Sequence, residues 1–207
     1  MKRYCSTLRC IGWLRRPMSS RVRLKKRMSI AVAGALLEQI FASEIYPLQP
    51  FKDPDWVGLA LDRDKYDHTR MPRSYLETFL TVAKQASSSR VVIRGFGQFF
   101  SQSLSESGLI SLDLDVPTYL RIVSTPESYS PEYQVVEESG AWGIWLHWDW
   151  SILGGPCALM SKVVDALGGK DQLWAHTAKE FGMNEGPIDP TLVKYLKTLT
   201  RLSDGSE

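Results

Sequence analysis

The chain is poor in cysteine and histidine and has no long uninterrupted apolar run. Three cysteines among 207 residues, with Cys5 and Cys10 near the start and Cys157 alone in the body, cannot build a disulfide framework. That usage fits a reducing compartment, and the cytoplasm is the expected location. Cys5 and Cys10 lack the second ligand pair that a zinc site requires, and His68, His147 and His176 share no HExxH or facial-triad spacing. No metal site is therefore expected. The apolar stretch from Ile30 to Leu37 is interrupted by Glu38 and Gln39, far short of the roughly 20 residues of a membrane span and too short for a secretory core.

Nucleotide and acyl-transfer motifs are missing as well. Gly95-Phe96-Gly97 has no third glycine opening a helix, and neither a Gly-Lys-Ser/Thr phosphate loop nor a G-x-S-x-G elbow occurs. Asp62, Asp64 and Asp67 begin like a calcium loop. The sixth position is Asp67 where a glycine should turn the chain, and the twelfth is Arg73 where a bidentate Glu should sit. No cofactor is expected, and the reading leans away from catalysis.

Charge is divided unevenly. Residues 1–28 carry ten Lys or Arg and no acid, whereas the remainder holds fifteen basic and twenty-three acidic side chains, a net charge of −8. Between Gly95 and Met160 eight acids face Arg121 alone. Such a stretch repels phosphates and attracts a basic partner. The basic segment has three readings: a disordered arm touching nucleic acid or anionic lipid, an organellar transit peptide, or a dispensable extension upstream of a start at Met28. The last is preferred, because a helical pattern opens immediately after Met28.

Periodicity predicts a helix over Ser29 to Ile45 with Ser29 as its N-cap, then a strand over Trp56 to Leu61. A helix carrying Tyr75, Leu76, Phe79, Leu80, Val82 and Ala83 follows, with a strand from Val91 to Arg94. In Leu109 to Val116 the residues Ile110, Leu112, Leu114 and Val116 alternate with Ser111, Asp113 and Asp115, the pattern of a half-buried strand. A helical turn over Tyr119 to Val123 and a solvated loop over Ser124 to Glu132 come next. Tyr133 to Glu137 and Trp142 to Leu153 are expected to pair as a hairpin through Ser139 and Gly140. Helices over Ala158 to Leu167, Gln172 to Phe181 and Thr191 to Leu202 complete the series, and residues 203–207 are read as a frayed tail. The fold expected is α+β: one domain over residues 29–202, with a mainly antiparallel sheet of four or five strands and helices packed around it.

The candidate contact site is the second arm of the hairpin. Trp145, His147 and Asp149, two apart on one strand, would project from a single face. Asp113 and Asp115 are placed on the same side of an adjacent strand, with Tyr129, Tyr133 and Glu137 extending the patch. An aromatic anchor ringed by carboxylates suits a partner rich in Lys and Arg. The competing reading buries Trp145 beneath a helix. The expected function is a small non-catalytic protein whose acidic body docks a basic protein, in the manner of immunity proteins that neutralise cationic toxins. Two alternatives are kept: an enzyme using His147 and Asp149 in a cleft, and a nucleic-acid or anionic-surface binder acting through the basic tail.

Overall fold

The structure, a computed structural model, describes residues 28–43, 48–66, 70–96, 109–123, 132–147, 149–169 and 172–203. Helix α1 (Ile30–Ile40) begins where expected, with the Ser29 hydroxyl accepting the Val32 N–H at 3.3 Å. It ends earlier than the periodicity implies. Phe41 has already turned to extended backbone, and it forms an isolated antiparallel bridge with Phe51.

After β1 (Trp56–Asp62) and a single 3-10 turn (Arg63–Lys65) come α2 (Arg73–Ala86), β2 (Arg90–Phe96), β3 (Leu109–Asp113) and α3 (Val116–Val123). The chain continues through β4 (Glu132–Glu137), β5 (Gly143–Leu146), β6 (Trp150–Pro156), α4 (Cys157–Ala166), α5 (Leu173–Glu180) and α6 (Pro190–Thr200). The strands form one sheet in the order β1-β6-β5-β4-β2-β3, and every neighbouring pair is antiparallel. The fold is α+β, with six strands instead of four or five.

The extra strand comes from the segment read as one long arm. Trp142 to Leu153 breaks after Leu146 and folds back on itself. His147 N–H donates to the Trp150 carbonyl at 2.8 Å, and Asp149 N–H donates to the His147 ring nitrogen Nδ1 at 3.2 Å. The imidazole thus plays the part an Asx side chain plays in a tight turn. Side-chain parity changes across the break: Trp142, Ile144 and Leu146 join one core, while Trp150 and Ile152 join the other.

Both faces of the sheet are covered. On one, Leu59, Val91, Ile93, Val135 and Ile144 pack against Phe79 and Leu80 of α2 and Met160 and Val163 of α4. On the other, Ala60, Val92, Val136, Trp145 and Ile152 pack against Ala33, Leu37 and Ile40 of α1 and Leu196 and Leu199 of α6. Hence all six residues of β4 are buried, a near-continuous pattern that a one-sided sheet would not give. In β3, at the edge, Leu112 packs on the core while Asp113 is exposed.

The second face is shaped by a row of glycines. Gly58, Gly154 and Gly143 are register neighbours across β1, β6 and β5, leaving a trough without side chains. The Phe51 ring lies in it, so a Cβ built on Gly154 would come within 2.1 Å of that ring, and one on Gly143 within 2.9 Å of Phe41. Phe41 in turn meets Trp145 edge-on, with ring centroids 5.5 Å apart. Gly154→Ala is therefore expected to destabilise the protein by about 1–3 kcal/mol through overpacking. Urea unfolding measures this as a lowered midpoint, and an unchanged midpoint would show that the ring does not occupy the trough.

Candidate functional site

The seven described residues of the proposed contact patch do not share a surface. Trp145 is 1% exposed, sealed between Phe41 and Trp150 under α1. Among the described residues its indole N–H has no hydrogen-bond partner. An open face with Trp145 at its centre is thus corrected to a buried one, because α1 and α6 cover that side of the sheet. Tyr133 points to the opposite face, also buried, with the Arg70 guanidinium 5.5 Å above its ring. Glu137 is buried too: its carboxylate accepts from Ser88 Oγ at 2.6 Å and from the Ser139 N–H at 2.8 Å, which fixes the β4–β5 turn. Burial pushes this carboxyl up, but the bonds from Ser139, Ser88 and Ala141 outweigh it and hold it below the usual carboxylate range. It is a structural acid. Tyr129 lies outside the described residues.

His147 is 2% exposed, and its imidazole stacks on Trp150 with centroids 4.4 Å apart. Two carboxylates flank it. Nε2 lies 3.2 Å from Glu132 Oε1, and Nδ1 lies 3.6 Å from Asp149 Oδ2. The Arg63 guanidinium closes the group from β1's end by donating to the His147 carbonyl at 2.6 Å. Glu132 is only 4% exposed. Burial raises its carboxyl to about 7, Arg63 acts against the rise, and the Asp149 charge adds to it. Asp149 itself stands open, its side chain 75% exposed.

Sequence reasoning found His147 and Asp149 but missed Glu132, which it left in a solvated loop. The signal was strand phase: Glu132 shares parity with Gln134 and Val136, whose side chains are buried. What brings Glu132 to His147 is the β4–β5 pairing, in which Tyr133 lies opposite Leu146. The arrangement can share one proton between a carboxyl and an imidazole, the elementary requirement of acid–base chemistry. Both groups are shut from solvent.

The remaining acids stand at a different corner. Asp113 ends β3 opposite Arg90, and Glu137 lies across β2 in the adjoining row. Asp149 sits at the other end of the strands, beyond the Tyr133–Leu146 pair. Asp113 and Asp115 are both exposed. Two strands, β4 and β2, separate β3 from β5, so the expected adjacency does not occur. Asp115 also caps α3, its carboxylate accepting the Thr118 N–H at 2.7 Å. Close by, Glu138 pairs with Arg90 at 3.0 Å and accepts from Ser111 Oγ at 3.0 Å.

Among the described residues, no group of three or more His, Cys, Asp or Glu is placed to hold a metal ion. No described helix is long and apolar enough to cross a membrane. Comparison with protein-family models, with curated proteins and with solved structures returned no match.

The buried carboxyl has a consequence for stability. In the unfolded chain Glu132 ionises near its ordinary value of 4.5, whereas in the fold it keeps its proton to about 7. The folded state binds more protons across that interval. The stability this contributes is complete below about 4.5 and lost as the pH passes about 7. Glu132→Gln, which stays neutral, should flatten the dependence by something on the order of 2 kcal/mol. Urea unfolding of both proteins at about pH 5 and about pH 8 reads the effect. An identical decline in the variant would exclude Glu132 as its source.

Proposed function

We propose that the chain is a non-catalytic binding protein that docks a basic protein at the corner where edge strand β3 runs into α3. The observation carrying this reading is that β3 pairs with β2 alone among the described strands and terminates in the exposed carboxylates of Asp113 and Asp115. An unpaired edge accepts a strand from another chain through main-chain hydrogen bonds, and carboxylates beside it select a cationic one. The charge of −8 outside residues 1–28 steers such a partner from a distance. Trp145, Tyr133, Glu137 and His147 take no direct part, since all four are buried. A cytoplasmic protein neutralising a cationic toxin is the kind of molecule this describes, by analogy of type.

Asp115 needs care in testing because it caps α3. Asp113→Lys combined with Asp115→Asn reverses one charge and removes the other while retaining a capping side chain. Tagged protein purified from its native cell should bring down a basic partner, and the double variant should bind that partner about tenfold more weakly, a loss near 1.4 kcal/mol. A partner held equally by the variant, or one that is not basic, would refute the docking corner.

A second reading rests on His147 lying between Glu132 and Asp149. It makes the protein an enzyme with an acid–base pair at the end of the sheet. For that reading, His147→Gln must abolish a turnover that survives Asp113→Lys.

A further inference from the structure

Helices α2, α4 and α5 come together around a cavity of about 350 Å³. Tyr75 of α2 stands on one side, Leu167 and the two glycines that follow α4 on another, and His176 and Lys179 of α5 on the third, with Asn184 in the turn after α5. The glycines serve different ends. Gly168 closes α4 at φ 80°, and its N–H donates to the Asp165 carbonyl at 3.1 Å. Gly169 is outside the left-handed region, and what it supplies is room: a Cβ there would come within 2.2 Å of His176 Nε2. The missing side chain seats the imidazole in the cavity wall, edge-on to Tyr75 with ring centroids 6.4 Å apart.

Among the described residues nothing pairs with the buried Nδ1 of that ring. Burial foremost, and the Lys179 charge after it, hold the imidazole below its ordinary range against the pull of Glu180, so the ring is uncharged at neutral pH. Burial and the Glu180 charge likewise keep the Tyr75 phenol protonated. Among the described residues that line the cavity, the one full charge is therefore the Lys179 ammonium, and none is an Asp or Glu. The Tyr75 hydroxyl and the Asn184 amide add neutral donors.

Such a lining suits an anion, and one negative charge better than two. The Gly168 and Gly169 N–H groups are spent inside the α4 cap, on the Asp165 and Val164 carbonyls, and the C-terminal end of α4 brings negative potential to the same wall. A phosphate, which draws on several donors and cations, does not find them here. Leu167, Ala175 and the Tyr75 ring offer apolar contact to an organic body.

We propose that this cavity binds a small organic monocarboxylate, with its carboxylate against Lys179 and Asn184 and its hydrocarbon part against Leu167 and Tyr75. The site is independent of the docking corner, since none of its lining residues belongs to β3 or α3.

The test is an NMR titration of the labelled full chain with acetate, butyrate and benzoate, beside butyramide and inorganic phosphate. The two larger carboxylates should shift the His176 ring signals and the amides of Gly168, Gly169 and Lys179 more strongly than acetate does, while butyramide and phosphate leave them in place. Lys179→Gln removes the charge from an exposed side chain, so the fold is retained, as unchanged signals elsewhere check, and it should weaken binding about tenfold. Ala175→Leu fills the cavity from an exposed position and should abolish the shifts. No shift at Gly168, Gly169 and His176 with any of the carboxylates, equal shifts with butyramide, or undiminished binding by either variant would each overturn the proposal. Shifts produced by phosphate and not by the carboxylates would overturn it in favour of a phosphate site.

Discussion

Three glycines in register across β1, β6 and β5 let aromatic rings lie directly on the backbone of the sheet, and the second core depends on that approach. Where Gly58, Gly154 and Gly143 leave no side chains, Phe51 and Phe41 descend from the stretch that links α1 to β1. Phe51 reaches Trp56 at 5.1 Å, Phe41 reaches Trp145 at 5.5 Å, and Trp145 reaches Trp150 at 6.1 Å. Each ring buries a large apolar area, and together they supply the surface onto which α1 and α6 settle. With side chains in the trough, the rings would have to lift and the helices with them.

A sheet covered on both faces offers its edges and its strand ends, and these are not equivalent. Strand β1 is packed by α5 and α6, whereas β3 ends in acids open to solvent. At the opposite strand ends, Glu132, His147, Asp149 and Arg63 form a polar group held by close charge contacts and by the Arg63 bond to the His147 carbonyl. That group closes the β5–β6 turn. The same residues that would suit proton transfer hold the turn together, which is why burial alone does not assign them a chemical role.

Much of the fold was legible because its signals are local. Ser29 marks the start of α1, the Gly154-Gly155-Pro156 run marks the passage from β6 into α4, and Gly182 follows α5. The break between β5 and β6 was not legible, since His147-Trp148-Asp149 contains no Gly, Pro or Asn to announce a turn. Its hydrogen bond comes from an imidazole. Whether Trp145 is open or covered was left undecided for a different reason: strand parity separates two faces but cannot say whether the polar one is covered. The cover is α1, roughly a hundred residues earlier in the chain, and the rings that seat it come from the connection after it. Glu132 was lost to the same blindness to long-range pairing. The exposure of Asp113 and Asp115 was legible in the sequence pattern, but the strand expected to run on to Val116 ends at Asp113, and Asp115 caps α3 instead.

The central claim is that the acidic corner at β3 and α3, and not the strand bearing Trp145, receives a cationic partner. Backbone amide shifts of the labelled full chain, followed during titration with a lysine- and arginine-rich peptide, test it most directly. The account predicts that perturbations concentrate between Ser111 and Thr118 and fade with added salt. Perturbations centred on residues 143–149, or spread evenly over every acidic residue of the body, would contradict it.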